Sequence, residues 1–233
     1  MCVRQTSPRP DQTFRCASRL YIFKTWLARM LILAPMPSLI TGDSEGETLT
    51  PKRDVTNFGE WLSGLLAFSP ASYSQIDTYL KDVMPDFREV KNPMSGSDSR
   101  SMTVQFQQDK ALISLAFHNL SDGEKCFFIC AVTLAANAAY GPIFCFWDEP
   151  DNYIALSEVG HFVIALRRSF QNGGQLLITS HNPEAIRKFT DENTLILGRR
   201  NHLEPTIVRM LSDMPVPGDL IDALVRDDVE PWA

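Results

Sequence analysis

Two adjacent carboxylates, Asp148 and Glu149, end the apolar run Ile143-Phe144-Cys145-Phe146-Trp147, and Pro150 and Asp151 follow at once. Such a pair can hold a magnesium ion and polarise a water beside a nucleotide phosphate. It equally fits a strand followed by a polar turn, so its neighbours decide its meaning. A second apolar run, Gln175 to Thr179, ends at Ser180-His181-Asn182-Pro183 and offers His181 as a further candidate. A third feature is Leu120-Ser121-Asp122-Gly123-Glu124-Lys125, which opens the apolar stretch Cys126 to Tyr140. Locally Ser121 and Glu124 fit a capping box, with Ser121 as N-cap and Glu124 at N3. A helix start with Ser and Gly is also an anion site, because free N–H groups and the positive dipole end point outward together. Gly123 there would let a phosphate approach the backbone closely.

The elements needed to position these residues can be read from pattern. Aromatic and branched residues in a short run suit a strand buried on both faces, as in a parallel sheet. Pro150 stops that strand, since it has no N–H for the ladder. Leu156, Val159, Val163, Leu166 and Phe170 trace one helical face, and Asn172-Gly173-Gly174 ends that helix. Strand, helix and strand then form a parallel crossover unit. His181 therefore leaves the sheet on the same edge as Asp148 and Glu149, where open α/β sheets bind ligands.

At 233 residues the chain is one large domain or two small ones, and its net charge of −6 argues against a general nucleic-acid coat. A local basic patch remains: Arg4, Arg9, Arg15, Arg19, Lys24 and Arg29 face only Asp11. Cys2, Cys16, Cys126, Cys130 and Cys145 are odd in number and contain no CxxC, which suits reduced thiols in a cytoplasmic protein rather than a disulfide frame or zinc site. Leu20 to Ile40 is interrupted by Lys24, Arg29, Pro35 and Pro37, so no membrane span or cleavable signal is expected.

Along the chain, residues 1–19 read as a disordered basic tail and Leu20 to Leu33 as an amphipathic helix whose apolar surface includes Met30 and Leu31. Thr41 to Asp54 reads as polar loop. Helices are expected over Asn57 to Phe68 and Tyr73 to Met84, closed by Pro85. Lys91 to Ser101 is the best linker. Met102 to Phe106 and Ala111 to Phe117 form a hairpin around Gln108-Asp109-Lys110. Thr194 to Leu197 reads as another sheet strand, Pro205 to Leu211 as an edge strand, and Leu220 to Val225 as a closing helix. The implied divisions are 1–19, a helical insert and linker over 20–101, a core over 102–200 and a carboxyl-terminal strand and helix over 201–233.

LSDGEK, IFCFWDEPDN and LLITSHNPEAI, in this order and spacing, resemble the signature motif, the Walker B strand with its D-loop, and the H-loop of ABC-type ATPase heads. The nearest likeness is to the soluble RecF-like and SMC-like branch and the AAA-type, OLD-like ATPases of bacterial defence and repair. The segment from Asn57 to Phe87 resembles the insert between the two halves of such heads. The resemblance implies an α/β fold, a partial P-loop NTPase with a mainly parallel sheet and a helical insert. It implies ATP and magnesium as cofactors, with Asp148 organising the metal shell, Glu149 polarising the attacking water and His181 near the γ-phosphate. Ser121, Asp122 and Gly123 would reach a nucleotide held by a second protomer, with Asp151 and Asn152 at that dimer interface. It further implies DNA repair or phage defence as the setting, with DNA or a nuclease as partners.

One departure is large. No G-x-x-x-x-G-K-[ST] occurs in these 233 residues; the nearest match, Thr41-Gly42-Asp43-Ser44-Glu45-Gly46-Glu47-Thr48, puts a carboxylate where the phosphate lysine belongs. The expectation is thus the carboxyl-terminal part of a head lacking its Walker A lobe, whose missing part comes from upstream sequence or a partner. The alternative is a nucleotide-independent degenerate head that docks on an intact one. A metal-dependent nuclease built on Asp148, Glu149 and Asp151 fits less well, because a two-metal site needs carboxylates spread further apart.

Overall fold

The computed structural model describes residues 10–96, 98–171, 173–189 and 193–214, with 223 and 226, side chains being described from residue 19. In chain order the elements are α1 (Pro10–Leu27), β1 (Met30–Leu33), β2 (Asp43–Ser44), α2 (Phe58–Phe68), α3 (Ser72–Val83), β3 (Phe87–Lys91), β4 (Arg100–Ser101), β5 (Thr103–Gln108) and β6 (Ala111–Ala116). Then follow α4 (Asp122–Tyr140), β7 (Phe144–Trp147), α5 (Leu156–Phe170), β8 (Gln175–Ile178), α6 (Pro183–Ile186), β9 (Leu195–Gly198) and β10 (Ile207–Met210). The chain is a mixed α/β fold whose central sheet is parallel.

That sheet has the order β1-β7-β8, with β7 parallel to both neighbours. Residues in register across it alternate between two faces. Leu33, Trp147 and Ile178 form one row and Leu31, Cys145 and Leu176 another on the same side. On that side Leu31, Leu33, Cys145 and Trp147 are buried, and Trp147 meets Phe162 of α5 edge-on at 5.7 Å. The opposite row is Ile32, Phe146 and Leu177, and Ile32 and Leu177 are each 47% exposed. Trp26 of α1 lies 6.0 Å from Phe144 at the edge of this second face. Parallel sheets normally have both faces covered; here one is covered by helices and the other only in part.

α4 is the helix around which the rest packs. Its residues from Lys125 to Val132 are all buried, which no amphipathic helix on a surface would allow. Phe128 of α4 meets Phe117 at 5.2 Å and Phe87 of β3 at 5.9 Å, while Phe127 faces Phe162 of α5 at 6.4 Å. The antiparallel sheet β3-β5-β6 and the parallel sheet thus share one core through α4. The ammonium of Lys125, itself buried, donates to the Pro37 carbonyl at 3.0 Å and ties the start of α4 to the turn after β1.

Several expectations are corrected here. The helix expected over Leu20 to Leu33 ends at Leu27, and Met30 and Leu31 belong to β1, which hydrogen-bonds to β7. Helix α1 starts at Pro10, inside the stretch expected to be a disordered tail, and residues 1–9 lie outside the described residues. Across residue 101, Phe58 of the expected insert stacks on Phe117 at 5.2 Å and β3 joins the hairpin strands. The linker contributes Lys91 to β3 and Arg100–Ser101 to β4. β9 and β10 pair antiparallel with one another rather than with the central sheet. Apart from Ala223, the helix expected over Leu220 to Val225 lies outside the described residues.

Candidate functional site

β7 does not stop cleanly at Trp147. The Asp148 N–H still donates to the Leu33 carbonyl at 2.8 Å, carrying the parallel ladder one residue past the strand. Glu149 then turns the chain with φ of 48°, a left-handed conformation that costs a non-glycine residue on the order of 1 kcal/mol. Its N–H is held by the Thr179 hydroxyl at 3.0 Å, and that hydroxyl donates onward to Asp148 Oδ1 at 2.6 Å. Thr179 ends the neighbouring strand, its own N–H bonded to the Trp147 carbonyl at 3.2 Å. One hydroxyl therefore fixes both members of the acidic pair.

The side chains beyond the strand ends converge. His181 Nε2 lies 3.2 Å from Glu149 Oε1, and the Asn152 amide donates to Glu149 Oε2. Asp151, only 5% exposed, accepts from the Ser180 hydroxyl at 2.9 Å through Oδ2, while its buried Oδ1 has no hydrogen-bond partner. Burial pushes the Asp151 carboxyl above the ordinary aspartate range, with the Ser180 hydrogen bond opposing. The Ser180 hydroxyl also accepts the Asn182 N–H at 2.9 Å, and Asn182 Oδ1 caps the short α6 by accepting from Glu184 N at 2.9 Å. His181 is thus flanked by two residues tied to Asp151 and to α6, while its ring stays in solvent.

Ser121 makes the full capping box. Its hydroxyl accepts from Glu124 N at 3.3 Å, and Glu124 Oε2 accepts from Ser121 N at 2.7 Å. A methyl placed on Gly123 would sit 2.8 Å from the Tyr153 carbonyl, so the glycine lets the start of α4 pass against the turn that carries Asp151 and Asn152. The structure brings Asp148, Glu149, Asp151, Asn152 and His181 to one edge, with Gly123 against the back of the same turn. Sequence reasoning missed Thr179, Ser180 and Arg53. Arg53 Nη2 stands 3.9 Å from Asp148 Oδ2, in a segment read as loop.

A magnesium ion fits these donors in a limited way. Asp148 Oδ1 accepts from Thr179, leaving Oδ2 and the Thr179 oxygen, and among the described residues no group of three or more His, Cys, Asp or Glu is placed so that it could hold a metal ion. That is too few for an all-protein cage. It matches the usual habit of magnesium, which takes one or two carboxylates and completes its shell with water and phosphate.

No family model matches the sequence, and no curated protein matches it. Solved structures do. The Smc head domain with coiled coil and joint from Pyrococcus yayanosii aligns with a TM-score of 0.52 and 11% identity, over 74% of this chain and 31% of that one. The chain therefore spans about a third of that protein's length. An SMC ATPase described for its ATP-driven dimerization and DNA-stimulated activation aligns with a TM-score of 0.49 and 12% identity, over 71% of this chain and 98% of that one. The SmcHead bound to the C-winged helix domain of ScpA gives 0.48 and 12%, over 67% and 46%. At this identity the likeness is one of fold: the chain is similar to SMC ATPase heads in architecture.

Proposed function

We propose that the chain is the part of an ABC-type ATPase head that carries the hydrolytic residues, and that a segment outside these 233 residues supplies the phosphate cradle. The observation that carries the reading is the meeting of Asp148, Glu149 and His181 at the carboxyl edge of a parallel sheet, with Glu149 held left-handed to reach it. In this reading Asp148 holds magnesium, which neutralises phosphate charge when bound. Glu149 accepts a hydrogen bond from the attacking water, and His181 faces the γ-phosphate while orienting the Glu149 carboxylate. Thr179 holds the Asp148 carboxylate and the Glu149 backbone N–H at the strand end, so little reorganisation is needed when nucleotide arrives.

Ser121, Asp122 and Gly123 would face a nucleotide on a second head, with Asn152 at the same junction. The buried Asp151 serves this junction from inside, by holding the turn. The partners are a second head and the missing lobe, whether as a homodimer or a split protein, and coupling to DNA repair or phage defence follows from the resemblance alone. A cytoplasmic setting is supported by the free, buried thiols of Cys126, Cys130 and Cys145. No helix among the described residues is long and apolar enough to cross a membrane.

Steady-state ATP hydrolysis by the assembled protein tests the reading. Glu149→Gln should lower turnover by about 100-fold or more while leaving thermal unfolding nearly unchanged. Turnover equal to wild type would remove Glu149 from the chemistry.

A further inference from the structure

A second strained residue lies beside the same site. Val55 has φ of 59°, is fully buried, and is β-branched, a combination far less common than a left-handed Asn or Gly. The turn it closes is held from several directions. The Arg53 carbonyl accepts from Ala34 N at 2.7 Å and the Asp54 carbonyl from Met36 N at 3.0 Å, so the turn is bound to the chain just past β1. Asn57 Oδ1 accepts from Lys52 N at 2.7 Å, and Asp54 Oδ1 accepts from Thr56 N at 3.1 Å and the Thr56 hydroxyl at 2.9 Å. A backbone forced into an unfavourable conformation and pinned this heavily fixes where its outward side chains start.

Those side chains are Lys52 and Arg53. With Ala34, Met36 and Asp54 they line an open recess of about 410 Å³ at the carboxyl end of β1. The recess adjoins the acidic pair, because Leu33 bonds Asp148 N and Arg53 reaches Asp148 Oδ2 at 3.9 Å. Asp54, the one carboxylate lining the recess, has an oxygen bound by Thr56, whose backbone N–H holds the carboxyl below the ordinary aspartate range.

We propose that the Lys52–Asp54 turn is a phosphate-binding element, in which Arg53 leaves Asp148 to grip the terminal phosphate of a polyphosphate and Lys52 adds charge beside it. The guanidinium suits this exchange, since its planar fork matches phosphate oxygens and its present partner stands at 3.9 Å, beyond hydrogen-bond reach. The arrangement also frees Asp148 Oδ2 when the phosphate is present and covers it with a cation when absent. The proposal deepens the ATPase reading and rests on it for the identity of the ligand.

Inorganic tripolyphosphate, titrated calorimetrically into the whole chain with and without magnesium, tests it. Arg53→Ala should weaken binding at least tenfold and Arg53→Lys by less. The Arg53 side chain is 70% exposed and its main-chain bonds survive either change, so unaltered circular dichroism is expected. Wild-type affinity in Arg53→Ala, or no binding by the wild type, would overturn the proposal. Asp148→Asn separates the two readings. Binding that needs Arg53 but ignores magnesium and Asp148 would keep the phosphate turn and sink the magnesium-nucleotide site. Binding that needs magnesium and Asp148 but not Arg53 would do the reverse.

Discussion

Asp151 is the residue whose surroundings depart most from what its sequence context implies. Expected from the resemblance at a dimer interface, it is buried, with one oxygen bonded to Ser180 and the other orphaned. Burial raises its folded-state pKa. The sign follows directly: the protonated form folds more favourably, so any contribution is intact below the unfolded pKa of about 4 and is lost as pH rises through the folded value. Asp151→Asn keeps an acceptor for Ser180 and removes the ionisation. Its melting temperature should match or fall below wild type near pH 3.5 and gain on it steadily towards neutrality. A difference independent of pH, by differential scanning fluorimetry, would show that Asp151 does not titrate in this window. At this scale the sequence was informative where punctuation is sharp: Pro150 and Pro183 mark the ends that expose Glu149 and His181. Thr179 and Arg53 were illegible, because each acts through a spatial neighbour, and a threonine ending a strand or an arginine in a loop has nothing distinctive around it.

Among the elements, the hairpin β5–β6 was legible from alternation and its Asp-Lys turn, where Asp109 is left-handed with φ of 53°. β1 was not. The apolar stretch from Leu20 runs into it without glycine or proline, and only pairing with β7 makes Met30 to Leu33 extended. β3 was hidden too, since Phe-Arg-Glu-Val-Lys follows a proline and shows one imperfect alternation. The junction of α4 with the turn after β7 carries a sharper consequence. Gly123→Ala would gain about 1 kcal/mol of helix propensity, yet its methyl meets a main-chain oxygen at 2.8 Å that cannot rotate aside. Overpacking of this kind costs about 1–3 kcal/mol and outweighs the gain. Urea denaturation should show net destabilisation of roughly 1 kcal/mol; equal or greater stability would mean that the turn yields.

For the whole molecule, composition and patterning gave the class correctly, an α/β chain around a parallel sheet, while the residues on either side of the expected division at 101 pack into one core. Polar residues from Lys91 to Ser101 look like a linker, yet Phe58 and Phe87 before it meet Phe117, Phe106 and Phe128 after it, contacts that no local pattern announces. Among the described residues β8 pairs on one side only, and the row Ile32, Phe146, Leu177 lies partly open. An apolar sheet face left open makes a folded protein prone to self-association. It should light up the dye ANS without denaturant and scatter more light as it is concentrated, whereas Leu177→Lys should dampen both. Handling, more than catalysis, is where an open sheet first makes itself felt: yield, shelf life and the choice of what to express it with all hang on one partly uncovered row of hydrocarbon.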